Sequence, residues 1–89
     1  MATFLVHVRP RQSFNSEQFI EHMRDYPHWA QLMTQLWMVS YDGSATQLRD
    51  NIASATQKTC EIIIINITGD GWATLNIDRG LTDWMTENV

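Results

Sequence analysis

The stretch Cys60-Glu61-Ile62-Ile63-Ile64-Ile65-Asn66-Ile67-Thr68 decides the fold. Isoleucine is stiff about its first side-chain torsion and sits well on a pleated surface. The run is too short to span a membrane, and Gly69-Asp70-Gly71 closes it with a turn signal. It reads as a β-strand. Successive side chains of a strand point to opposite faces, so Ile62 and Ile64 share one face while Ile63, Ile65 and Ile67 share the other. Both faces are apolar, and both need cover.

Upstream, Thr3 to Arg9 alternates around aliphatic residues and reads as a first strand. Phe4, Val6 and Val8 form one face, and Thr3, Leu5, His7 and Arg9 the other. Pro10 has no N–H and ends the ladder. Asn15 is a good helix cap with Gln18 three residues on, which predicts a helix from about Ser16 to Asp25. Phe19, Ile20 and Met23 make its buried stripe. Pro27 disfavours helical geometry at Tyr26 and stops it. Gln35 to Tyr41 is strand-like, with Trp29 to Met33 either its extension or the first arm of a bent hairpin. Asp42-Gly43 is a turn. Ser44, with Gln47 in the box position, caps a second helix in which Leu48, Ile52 and Ala55 recur through about Thr56. After the isoleucine strand, Gly71 to Asn76 reads as a short further strand. Asp78 or Thr82 then starts a last short helix or turn carrying Leu81, Trp84 and Met85.

Eighty-nine residues suit a single domain over 1–89, with a modest core burying somewhat over ~60% of the unfolded surface. The order strand, helix, strand, helix, strand is the split βαβ plan of the ferredoxin-like folds, an α+β class. It predicts an antiparallel sheet with two helices on one face and the other face open. An exposed apolar sheet marks a partner surface, and a second copy about a two-fold axis is the simplest partner. The expected homodimer interface comprises Leu5, His7, Trp37, Ile63, Ile65, Trp72 and Trp84.

The lone Cys60 excludes an internal disulfide framework and suits a reducing compartment. No basic, apolar, small-residue series opens the chain, so no signal peptide is expected. The expected location is the cytoplasm, without membrane association. A net charge of −4 counts against general nucleic-acid affinity. Arg9 and Arg11 leave room for a local basic patch.

Tyr26-Pro27-His28-Trp29-Ala30, Trp37-Met38-Val39, Ser44 to Ile52, Ile67-Thr68-Gly69-Asp70-Gly71-Trp72-Ala73 and Asp83-Trp84-Met85-Thr86-Glu87-Asn88 follow one another along the chain. Together they resemble the small SinR-like proteins, relatives of the CRISPR-associated Cas-two-type proteins and of the VapD-type ribonucleases. The resemblance implies a ferredoxin-like fold and a homodimer through open sheet faces, with a C-terminal segment that often reaches across to the partner's sheet. It implies no single activity, because the CRISPR-associated relatives are described both as metal-dependent nucleases and as non-catalytic scaffolds. The nuclease members usually end the first strand with an aspartate, whose two copies could hold magnesium. Here His7-Val8-Arg9-Pro10 stands in that place. Two arginines cannot bind a divalent cation.

His7 and Arg9, two apart on a strand, share a face. Across a two-fold axis they would cluster, either as a phosphate site or as a polar pair satisfied within the interface. With Arg11 they are the candidate ligand or nucleic-acid residues. His22 and His28 are six apart and lack the one-face spacing of a zinc pair. Cys60 has no partner and reads as a small residue at a strand edge. Gly69-Asp70-Gly71 lacks the lysine and spacing of a phosphate loop. The four tryptophans could stack on bases, but without basic residues between them they read as core and interface.

The leading expectation is a non-catalytic homodimeric interaction, scaffold or regulatory protein that binds another macromolecule, with no catalytic residue, metal or cofactor. The alternative is a magnesium-dependent endonuclease of the Cas-two type that uses other carboxylates. A third reading is nucleic-acid binding through Arg9 and Arg11 without chemistry.

Overall fold

The computed structural model describes residues 1–89. β1 (Ala2–Pro10), α1 (Ser16–Arg24), β2 (His28–Met33), β3 (Leu36–Tyr41), α2 (Ala45–Ala55), β4 (Cys60–Asn66) and α3 (Arg79–Asn88) follow in order. The four strands form one antiparallel sheet in the order β2-β3-β1-β4. That order is compatible with a ferredoxin-like plan. Trp29 to Met33 is the first arm of a hairpin with β3, and a register irregularity falls between Gln31 and Met33.

The helices begin where their caps predict. The Asn15 side chain accepts from the Gln18 N–H, and Ser44 with Gln47 forms a complete capping box. Asp78 caps α3 by accepting from the Gly80 N–H. Gly69 turns the chain out of β4 with φ +72°, a conformation that glycine adopts without steric cost.

Alternation along the strands sorts the apolar residues into two layers. On one face Phe4, Val6, Val8, Trp37 and Val39 meet Phe19 and Met23 of α1 and Leu48 and Ile52 of α2. Ile62 and Ile64 pack against the margin of this core. On the other face Ala30 and Met38 meet Met85 of α3, with Leu5, Leu32, Ile67, Leu81, Trp84 and Val89 around them. Thr3 fastens this second layer. Its N–H donates to Thr68 Oγ1 at 2.8 Å, and its hydroxyl donates to the Asn88 carbonyl.

Three expectations are corrected. The second face is not left open as a whole, because α3 of the same chain folds over its β2–β3 side. The apolar stripe of Leu81, Trp84 and Met85 finds its cover within the chain. Gly71 to Asn76 forms no strand, and this stretch is exposed, with Leu75 83% accessible. Trp37 does not face a partner, for it is fully buried beneath α1. The register of β3 sends Met38, not Trp37, to the second face.

Candidate interaction surface

The α3 helix covers the β2–β3 side of the second face and leaves the β1–β4 side open. Along β1 and β4 the antiparallel register sets His7 opposite Ile63, Leu5 opposite Ile65 and Arg9 opposite Glu61. Directly opposed residues share a face. The uncovered area therefore carries His7, Arg9, Glu61, Ile63 and Ile65 together. Ile63 is 61% and Ile65 51% accessible, which is unusual for isoleucines inside a sheet. Met33, 62% accessible, and Trp72, 41% accessible, are further exposed apolar side chains of the molecule.

The surface is shallow. A depression of about 360 Å³ is lined by His7, Arg9, Glu61, Ile62 and Ile63. A second, of about 320 Å³, lies between His7 and the Met33–Leu36 turn. Under α3 a more apolar cavity of about 260 Å³ is lined by residues that include Leu5, Leu32, Met38, Trp72 and Met85.

The Arg9 guanidinium is already engaged. Its Nε and Nη2 donate to the two carboxylate oxygens of Glu61, the latter at 2.9 Å. This fork raises the Arg9 pKa, chiefly through the hydrogen bond to Glu61. It holds the Glu61 carboxyl below its ordinary value, again through the hydrogen bond first, with the charges of Arg9 and Arg11 adding to it. Arg11 is therefore near Glu61 as well, and its backbone N–H donates to the Thr59 carbonyl at 2.8 Å. A phosphate on Arg9 would have to displace an internal carboxylate that already uses the bidentate geometry.

Of the sequence-predicted residues, the fold brings His7, Arg9, Arg11, Ile63 and Ile65 to this region. Leu5 and Trp84 are half-buried in the layer under α3, and Trp72 lies beside that layer in the loop after β4. Trp37 packs edge-on against Phe19, with ring centroids 5.9 Å apart. No group of three or more His, Cys, Asp and Glu side chains stands close enough to hold a metal ion. Cys60 opens β4, a strand at the sheet margin.

Sequence reasoning missed two polar features. One is the Arg9–Glu61 fork, which only the pairing of β1 with β4 creates. The other links α1 to α2. Tyr26 donates its hydroxyl to Asn51 Oδ1, and His22 Nε2 lies 2.8 Å from the Tyr26 oxygen. The four-residue spacing of His22 and Tyr26 was a readable signal, whereas Asn51 was not. Burial, with the Tyr41 charge second, pushes the Tyr26 hydroxyl well above the usual tyrosine range.

No known family, curated protein or solved structure matches this chain. No helix is long and apolar enough to cross a membrane.

Proposed function

We propose that the protein is a non-catalytic interaction module, a single ferredoxin-like domain that works in the cytoplasm as a homodimer built on the uncovered β1–β4 side of its sheet. The observation that carries this reading is the pair of accessible isoleucines, Ile63 and Ile65, on a strand with no cover on that side. Water contact with two such side chains is costly, at about 25 cal/mol for each Å² left exposed. A shallow apolar surface suits a macromolecule better than a small substrate. The paired surface of two copies would serve as a scaffold for a further protein partner. The resemblance to SinR-like and Cas-two-type proteins points the same way, and the strand order supports its ferredoxin-like expectation.

The nuclease alternative has less behind it. The carboxylate nearest the end of β1 is Glu61, and Arg9 holds it. The test is mass in solution. The chain should sediment at twice 10.3 kDa at micromolar concentration, and the double variant Ile63→Lys/Ile65→Lys should sediment as a monomer. A wild-type monomer at high micromolar concentration overturns the reading. So does metal-dependent cleavage of RNA or DNA that a chelator stops.

A further inference from the structure

The two edges of the sheet are finished differently. β2, at one edge, is interrupted by the irregularity at Gln31 and Met33, and α3 packs over it. Interruptions and covering elements are the usual means by which an edge strand is kept from pairing. β4, at the other edge, pairs with β1 through seven consecutive positions without a break. Between Ile62 and Ile65 it carries no charge, no proline and no bulge. No strand pairs with its outer side, so the backbone groups there have no ladder partner.

The ladder shows which groups these are. The Ile67 N–H donates to the Thr3 carbonyl at 2.9 Å, and the Arg11 N–H donates to the Thr59 carbonyl at 2.8 Å. Hydrogen-bonded and non-bonded pairs alternate in an antiparallel ladder. Glu61, Ile63 and Ile65 therefore turn their backbone groups toward β1. Cys60, Ile62, Ile64 and Asn66 turn theirs outward.

The geometry points to a second copy of this chain pairing antiparallel along the outer edge of β4, with the two-fold axis at Ile64, so that the two sheets join into one of eight strands. This rests on the homodimer reading and places its contact along the β4 edge of the uncovered side rather than across its face. An antiparallel two-fold pairing requires outward-facing residues to meet outward-facing residues, which the even-numbered positions satisfy. With the axis at Ile64, each Ile63 stands opposite Ile65 of the second copy, so the four accessible isoleucines lie side by side across the junction as cross-strand pairs. On the helix side the two Ile64 side chains meet at the mouth of a cleft of about 180 Å³ lined by Ala45, Thr46, Arg49, Ile62 and Ile64.

Each Glu61 stays with its own Arg9, so no unpaired carboxylate enters the junction. An axis at Ile63 would instead set Ile65 against Glu61.

Cross-linking tests the edge and the register together. In a Cys60→Ser background, Ile63→Cys and Ile65→Cys are prepared as separate proteins, one carrying a mass tag. Both side chains are accessible, so both proteins should fold. Non-hydrogen-bonded opposed residues lie about 4.5 Å apart between Cα atoms, within the range that a disulfide spans. The expected result is a mixed disulfide when the two proteins are combined and oxidised, with neither cross-linking alone. Sedimentation of the unmodified chain accompanies it. A dimer that gives no mixed disulfide overturns edge pairing and leaves the homodimer reading standing. Cross-linking of Ile63→Cys with itself overturns the register. A monomer by sedimentation overturns both readings.

Discussion

Trp37 has the highest stakes of any single residue. It is fully buried, packs on Phe19 and on Trp29, and its indole Nε1 has no hydrogen-bond partner. A buried donor without a partner costs free energy. Trp37→Ala should therefore destabilise by about 3–5 kcal/mol. Trp37→Phe should cost clearly less, because it keeps a ring in place and removes the orphaned donor. Urea melts of the two variants check the order, and equal losses would contradict it. Tyr26 predicts a pH effect. Its folded pKa lies above the unfolded value, so its contribution is complete below about pH 10 and is lost as the pH rises through the folded value. Wild type should lose stability above pH 10 more steeply than Tyr26→Phe. Glu61 has the opposite sign. Its folded pKa is depressed, so its contribution is present above the ordinary carboxylate range and is lost as the pH falls through the folded value. Glu61→Gln should flatten the acid limb of the stability profile. At this scale the sequence was legible where partners lie close along the chain. The caps at Asn15 and Ser44 are examples. It was illegible where fifty-two residues separate Arg9 from Glu61.

Among the elements, α3 is the one whose role the sequence misassigned. Its apolar stripe was readable, but a stripe does not say which sheet it covers. Intramolecular docking wins because Ala30, Met38 and Leu5 lie within the reach of the chain, so no second molecule has to be immobilised. Met85→Glu should detach this helix by placing a charge in a buried layer. Hydrogen exchange should then speed up across residues 79–88 while the β1–β3 ladder stays protected, and uniform loss of protection would contradict it. The link between α2 and β4 holds strain. Gln57 and Lys58 both have positive φ, 56° and 59°. This region costs a side-chain-bearing residue about 1–2 kcal/mol. Gln57→Gly should therefore stabilise the chain by about 0.5–1 kcal/mol, after the greater chain entropy of glycine is counted. A fall in the thermal midpoint would refute that.

For the whole molecule, association and stability should be coupled. A dimer that forms only from folded chains raises the unfolding midpoint with protein concentration. The midpoint of the wild type should rise from low to high micromolar concentration, and that of Ile63→Lys/Ile65→Lys should not. A concentration-independent wild-type midpoint would count against the dimer. By itself the sequence determined that the run from Cys60 to Thr68 carries a strand with two apolar faces, where the first two helices start, and that Phe4, Val6, Val8, Leu48 and Ile52 build one core. These follow from periodicity and capping, which act over a few residues. Only the tertiary structure decided that α3 covers the β2–β3 side of the second face, that Trp37 turns inward, and that β4 lies at an edge with Ile63 and Ile65 uncovered. Those outcomes depend on strand order and register, which arise from contacts between segments far apart in the chain. The isoleucine run thus announced a strand, and its place at the sheet margin left that strand a side to share.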